Sequence, residues 1–372
     1  RMDQAKNWEE YREASNYFNI PGENMVWADK FGDIGWQAVG IAPIRKTHSG
    51  LVPVRGDGNF EWENYIEIIE KPNLFNPEKG YIATANQNVT PEDYDRWDVI
   101  GYDWADPYRG DRVNSFLESK DKFNMDDMIN LQIDYYSIPS KQIIDMSKDH
   151  ITNNLEYLNK LIEWNNILDK NSIEAGIYIE WQTQIYYEFM KKHVPESVQK
   201  YIDVQIYKII EGISKMSDQE KSEFLNKTFD LTIKSLINKY GDESSKWVYG
   251  QPDYKHVKIY HPLQKVVNDS IKEIIGLDTY PRGGDGYTPG STSNELNQRS
   301  GGSFRVVINT KEWDNSFATN SPGQSGDPKS KFYKNLYEDW ANDNFFQLLY
   351  SKNKVLMNLS DRKIYRPSDQ SE

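Results

Sequence analysis

The feature that most constrains this chain is a run of helical patterns over residues 113–240, set between two flanks of different periodicity. "ITNNLEYLNKLIEWNNIL" places Ile151, Leu155, Leu158 and Ile162 at helical spacing. "VQKYIDVQIYKIIEGI" and "EFLNKTFDLTIKSLINKY" repeat the pattern. In "NMDDMINLQIDYY", Asn124 is a ready N-cap, and Asp126-Asp127 behind it complement the helix dipole. Gly241 stands where a helix of this run would be closed at its C-terminal end. Four or five helices in succession predict a helical insertion or second layer, which we read as scaffold. The flanks, 1–112 and 241–372, carry strand and turn patterns, so the fold class is α+β.

Within the first flank, residues 3–18 are predicted helical. The period then changes. A strand is expected over 25–28, a turn over 29–33 containing Gly32, and a second strand through Ile34, Trp36, Ala38, Gly40 and Ala42, closed by Pro43. Residues 46–80 are punctuated by Pro and Gly, with Asp57-Gly58 as a tight turn and Trp62 and Tyr65 facing a rim. A short strand is expected over 81–85, ending on Asn86 and Gln87. In the second flank, the Gly/Ser/Pro-rich stretch 281–302 is expected to be an ordered long loop. Phe304, Val306 and Ile308 then alternate as in a strand, and Phe332, Leu336 and Trp340 share one face of an expected helix. The last twelve residues are polar and expected to fray. There is no internal repeat.

Composition narrows the function classes. The net charge is −13, and no basic stripe is interleaved with aromatics, so a nucleic-acid partner is disfavoured. With no cysteine, disulfides, thiolate zinc sites and a thiol nucleophile are excluded, while the compartment stays open. No apolar run reaches the length of a membrane span, and the start does not read as a signal peptide. The chain begins at Arg1, in what reads as mid-protein helix, so we expect a piece of something longer.

Most familiar chemistries lack their motifs. The five histidines form no H-x-x-H or H-E-x-x-H pair, and His48 and His261 read as structural. There is no G-x-S-x-G elbow, and "GQSGDP" reads as a turn. Glycosidase carboxylates cannot be singled out from 57 acids by spacing, although 25 Tyr and 11 Trp keep a carbohydrate-binding reading open. One loop is unusual. "PEDYDRWDVIGYDWADPYRGDR" packs six Asp with Arg96, Arg109 and Arg112. Carboxylates at that density are paired, metal-bound or exposed. Arg109, behind Asp106-Pro107 at the next helix start, has a fork suited to a carboxylate or carbonyl; a structural ion-pair loop is the alternative. Asn86 has two readings as well. It ends its strand as a turn residue that tolerates unusual backbone angles, or its amide N–H stabilises negative charge on a substrate oxygen.

At this loop the sequence "GYIATANQ…PEDY…YDWADPYR…R" resembles the β-chain of the penicillin acylase (penicillin amidase) family of N-terminal-nucleophile hydrolases, in its C-terminal part. "VWADKFGDIGWQAVGIAPIR", "GDGNFEWENYI" (with Asn64 for the usual Gly), "MDDMINLQIDYYS", "KWVYGQPDYKHVKIYHPL", "GGDGYTPG", "SGGSFRVVIN" and "SPGQSGDPKSKFYKNLYEDW" agree in the same order. The resemblance implies part of a four-layer αββα sandwich with a helical insertion. It implies a self-cleaving precursor whose freed N-terminal Ser is the nucleophile and whose α-amino group is the base.

Carried over by position, Asn86 matches the oxyanion-hole Asn, with Gln87 departing from the family's second Asn. Arg109 matches the Arg that organises it. Asp98 matches a position used for calcium in some members, so no cofactor is required but a structural calcium is left open. The implied partners are an α-chain and the N-terminal part of the β-chain, which would supply the nucleophile. The implied substrates are small N-acyl compounds such as β-lactams or acyl-homoserine lactones, and the implied location is extracytoplasmic. The chain by itself is then expected to be inactive and to expose a sheet edge and apolar surface. The alternative is a non-catalytic ligand- or glycan-binding protein on the same scaffold.

Overall fold

The structure, a computed structural model, describes residues 1–293 and 295–366. Its first flank holds α1 (Trp8–Ser15), β1 (Asn24–Ala28), β2 (Ile34–Ala38), β3 (Ala42–Pro43), β4 (Tyr65–Ile66) and β5 (Asn73–Phe75). Two helices follow, α2 (Trp97–Ile100) and α3 (Tyr108–Leu117). The helical region holds α4 (Met125–Gln132), α5 (Ile138–Ser147), α6 (Leu155–Glu163), α7 (Ile173–His193), α8 (Glu196–Gln199), α9 (Ile206–Ser214) and α10 (Asp218–Tyr240). The second flank contributes β6 (His256–Val257), α11 (Asp269–Ile275), β7 (Tyr280–Pro281), β8 (Arg305–Val307), β9 (Ser316–Thr319), α12 (Tyr337–Ala341), β10 (Phe346–Leu348) and α13 (Lys352–Met357).

The helices begin and end where local chemistry dictates. Asn124 and Asp127 form a reciprocal capping box at α4, and Ser217 and Glu220 form another at α10. Ser137 and Ser172 cap α5 and α7. Gly241, at φ +86°, closes α10. With their ends satisfied, these helices bury one continuous core. It includes Leu161, Ile177, Trp181, Ile185, Ile209, Ile213, Leu225, Phe229 and Leu236. Trp181 anchors α7 against α10: its ring meets Phe229 edge-on at 4.8 Å, and its Nε1 donates to Thr228 Oγ1 at 3.1 Å. Leu155 and Ile162 fall outside that core and are exposed, because α6 turns Leu158 and Leu161 inward instead.

The flanks are built from short strands. β1, β2 and β5 form one antiparallel sheet, with Trp27 opposite Gly35 and Trp36 opposite Leu74. β10, β9 and β8 form another, and β3–β4 and β6–β7 are two-stranded ribbons. The turn over 29–33 is as expected: Asp29 Oδ1 accepts from the backbone N–H groups of residues 31, 32 and 33. The second strand is shorter than expected. It stops at Ala38, and Gly40 turns the chain at φ +87° with Gly22 against it.

Four other expectations need correction. The N-terminal helix spans only Trp8–Ser15, because Asn7 caps it by accepting from Glu10 N. Residues 81–85 form no strand, since among the described residues no neighbouring strand supplies their ladder hydrogen bonds. The alternation at 304–308 is present with the opposite phase: Arg305 and Val307 point inward, and Phe304 and Ile308 are exposed. The helix expected through Phe332, Leu336 and Trp340 is only Tyr337–Ala341. Backbone groups of the preceding residues are bonded to the 322–325 turn instead: Phe332 O accepts from Gln324 N and Ser325 N, and Leu336 N donates to Pro322 O. The inward residues there are Tyr333, Tyr337 and Trp340.

The described residues of the Gly-rich loop 281–302 are ordered around buried charge. Asp343 Oδ1 pairs with Arg282 at 2.8 Å and Arg305 at 3.0 Å, while its Oδ2 accepts from Tyr135 at 2.6 Å. Lys255 Nζ donates to the carbonyls of Thr292, Ser293 and Glu295 at 2.8–3.0 Å. Of the last twelve residues, 361–366 are exposed and carry no regular structure, and the rest lie outside the described residues. No helix among the described residues is long and apolar enough to cross a membrane.

Candidate active site

The two residues singled out at the end of the 81–85 segment and the start of α3 meet. Arg109 Nη2 donates to Asn86 Oδ1 at 2.9 Å. A guanidinium has only donors, so this bond fixes which way the amide faces. The Asn86 carbonyl oxygen is turned to Arg109, and its Nδ2 has no partner among the described residues and stands at an exposed position. Asn86 sits at φ +66°, in the left-handed region that Asn tolerates better than most residues. The turn chemistry read from the sequence is therefore present, and so is an N–H donor with no partner among the described residues.

Several contacts hold this turn on α3. Ala105 N donates to Asn86 O at 3.2 Å. The Gln87 side chain folds back so that its Oε1 accepts from Ala85 N at 2.6 Å, and it lies flat on Gly110. A Cβ at Gly110 would stand 2.5 Å from Gln87 Cδ, so a side chain there would push Gln87 out of this position. The sequence reading took Gln87 as a mild departure from the family's second Asn and missed this brace. The signal for it was the glycine directly after Arg109.

The electrostatics match the geometry. Burial pushes the Arg109 guanidinium below its ordinary range, and the neighbouring Asp106 opposes that shift. Burial likewise raises the Asp106 carboxyl, against the backbone N–H groups of Tyr108 and Tyr207 that favour its charged form. Tyr108, the first residue of α3, is buried and donates its hydroxyl to Gln142 on α5. Arg112, one turn further on, pairs with Asp134 at 2.6 Å and lies over the Tyr136 ring. Of the arginines in the acidic loop, Arg96 and Arg112 are thus ion-paired within it or beside it, and Arg109 is directed to the amide.

Asp98 lies apart from this pair in α2. Both its oxygens accept from Arg96, at 2.9 and 3.0 Å, and that bidentate contact holds its carboxyl below the usual range. Among the described residues no three His or carboxylate side chains gather into a metal-binding group. His261 is structural, accepting from Leu263 N through Nδ1. His48 lies edge-on to Phe60. Trp62 and Tyr65 pack edge-to-face at 6.2 Å and are both exposed.

Comparisons with known proteins agree with this architecture. The Penicillin amidase family model matches residues 1–356. The acyl-homoserine lactone acylase QuiP of Pseudomonas fluorescens is 25% identical over 93% of this chain and 46% of its own length. The penicillin acylase 2 proenzyme of a Pseudomonas species is 22% identical over 95% of this chain and 47% of its own. The chain thus spans about half the length of these relatives. Among solved structures, the thermostable penicillin G acylase of Alcaligenes faecalis superimposes with a TM-score of 0.69 at 17% identity, covering 99% of this chain and 71% of that one. Short sheets flanking a helical region in sequence, an Asn–Arg pair at the head of α3 and a family match across nearly the whole sequence lead to one assignment: this chain belongs to the penicillin amidase family.

Proposed function

We propose that this chain is part of an amide hydrolase that cleaves the acyl side chain of small N-acyl compounds, with Asn86 as an oxyanion donor and Arg109 as the residue that aims it. The observation that carries the reading is the 2.9 Å bond from Arg109 to Asn86 Oδ1, which leaves Nδ2–H of this exposed residue without a partner among the described residues. When a hydroxyl adds to an amide carbonyl, the carbonyl oxygen becomes an anion, and a pre-oriented N–H stabilises it more than it stabilises the ground state. Arg109 adds positive potential behind that donor without occupying it.

In this proposal the nucleophile comes from another part of the assembly. The relatives extend over about twice the matched length, and one of them is named as a proenzyme. The same assembly would cover apolar residues that this chain leaves exposed, among them Val26, Phe31, Phe304 and Ile308. The chain alone is then expected to turn over nothing. The names of the relatives make β-lactam side chains and acyl-homoserine lactones the substrates to try first, and an extracytoplasmic location belongs to the same proposal. A structural calcium at Asp98 would compete with Arg96 for that carboxylate. The exposed Trp62–Tyr65 pair supports a second reading, glycan or ligand binding without catalysis.

The test is Asn86→Ala in the assembled protein, assayed on a panel of acyl 4-nitroanilides. Losing one oxyanion donor should cost about 3 kcal/mol in the barrier, roughly a hundredfold in kcat, with KM changed by less than about threefold. Wild-type kcat in this variant removes the oxyanion assignment. An assembled wild-type protein that binds these compounds and never cleaves them favours the second reading.

A further inference from the structure

We infer that Asp106 is a positioning residue for the Asn86 amide, because its one carboxylate joins the helix that carries Arg109 to the helical layer behind it. Asp106 Oδ1 accepts from Tyr108 N, the first N–H of α3, at 3.1 Å. Its Oδ2 accepts from Tyr207 N, in the first turn of α9, at 3.4 Å. Neither helix has a side-chain cap from its own N-cap position: that residue is Pro107 in α3 and Gln205 in α9. The Gln205 side chain is used elsewhere, donating through Nε2 to Trp104 O at 3.0 Å. Two helix ends are therefore satisfied by one acid from the intervening loop, and a negative charge between two helix N-termini complements both dipoles.

The consequence runs through backbone and side chain to the site. The segment 104–106 is fastened to α9 by Gln205 and Tyr207. The same segment grips the turn at Asn86 through Ala105 N, and α3 grips it through Arg109 and the Gln87–Gly110 contact. Among the described residues the Asp106 carboxylate makes no hydrogen bond to Asn86; its bonds go to Tyr108 N and Tyr207 N. It acts by keeping the first turn of α3 where Arg109 reaches Oδ1. The helical layer, read from the sequence as scaffold, thereby sets the direction of a catalytic N–H.

This inference rests on the oxyanion reading of Asn86, and a double-mutant cycle in the assembled protein keeps the two separable. Asp106→Ala is expected to lower kcat on acyl 4-nitroanilides by about tenfold with KM within about twofold, as small misplacements do. In an Asn86→Ala background it should cost no more than about twofold, because the donor it positions is gone. Gln205→Ala, a milder cut of the same tie, should lower kcat by about threefold and guards against failure of Asp106→Ala to fold. Hydrogen exchange supplies a readout independent of activity: amides of residues 85–88, 106, 108 and 109 should exchange faster in both variants, with α7 and α10 unchanged.

Wild-type kcat in Asp106→Ala and Gln205→Ala, or an equal loss in the presence and absence of Asn86, overturns the inference. Unchanged exchange over 85–88 overturns it too. If Asn86→Ala itself keeps wild-type kcat, the oxyanion reading fails and Asp106 loses its catalytic consequence with it.

Discussion

The helical region and its two flanks solve the same problem in opposite ways. Between residues 113 and 240, backbone hydrogen bonds close within each helix, and stability is collected where helices meet in a buried core of Ile, Leu, Phe and Trp. In the flanks, strands of two to five residues close part of each other's ladders, and the remaining order comes from side chains bonded to backbone. Asp29, Asp314, Asn309 and Lys255 each hold a loop this way. The helical region exposes some large apolar residues, among them Leu155, Ile162 and Tyr201, but around one extensive buried core, whereas the flanks expose Val26, Phe304, Ile308 and Phe346 beside small buried clusters. One region completes its interior within this chain. The other presents surfaces and strand edges suited to more polypeptide.

The largest effect expected from this contrast is at Trp181. Trp181→Ala removes a fully buried ring and the N–H that Thr228 Oγ1 accepts from, so unfolding free energy should fall by about 5 kcal/mol, the top of the range for such truncations. Phe304→Ala, on an exposed flank position, should change it by no more than about 0.5 kcal/mol. Urea titration followed by far-UV circular dichroism measures both. Comparable losses at the two positions would break the comparison, since the flank would then hold a core of its own around Phe304.

A middle-sized effect is expected where the regions are joined. Asp343 receives Arg282, Arg305 and Tyr135, and Tyr135 belongs to the helical region while the arginines belong to the second flank. Asp343→Asn keeps the shape and one acceptor and removes the charge shared by two buried guanidiniums. The cost should be about 2–3 kcal/mol, in line with hydrogen bonds to charged partners. In the same titration the flank should now unfold before the helices, and tryptophan fluorescence, sensitive to Trp340, should move ahead of circular dichroism. Coincident transitions would show that the ion cluster does not couple the two regions.

The same contrast explains what could be read from the sequence. Helices 113–240 were legible because their signals are local: Asn124 finds Asp127 three residues on, and Gly241 ends α10 by its own backbone angle. Asn86 and Arg109 were legible only through the family resemblance, because 23 residues separate them and nothing local ties them together. The flank strands were misread wherever a distant partner decides. Arg305 turns inward because Asp343 and Gly290 O wait there, which inverts the face that apolar alternation suggests. Residues 332–336 are kept from extending the helix by a turn ten residues earlier. Asp106 escaped notice because an Asp before Pro reads as a turn, and its second partner, Tyr207 N, lies 101 residues away.

The smallest effect sharpens the claim that side-chain-to-backbone bonds hold the flanks. Asp314 Oδ1 accepts from Tyr350 N at 2.8 Å and Ser351 N at 2.9 Å, which pins the start of α13. The backbone N–H groups of Ser351 and Tyr350, in that order, stabilise the carboxylate and bring its pKa down to about 2. A carboxyl depressed by folding stabilises the folded form above its unfolded pKa of about 3.9. That contribution is lost as pH falls from about 4 through about 2. The amide proton shifts of Tyr350 and Ser351 should therefore titrate together with a midpoint near pH 2, and Asp314→Asn should abolish the step. A midpoint at the ordinary value near 4 would mean that α13 is held by its own packing. The exposure of Val355, Leu356 and Met357 argues against that, because the helix buries no apolar face of its own in this chain.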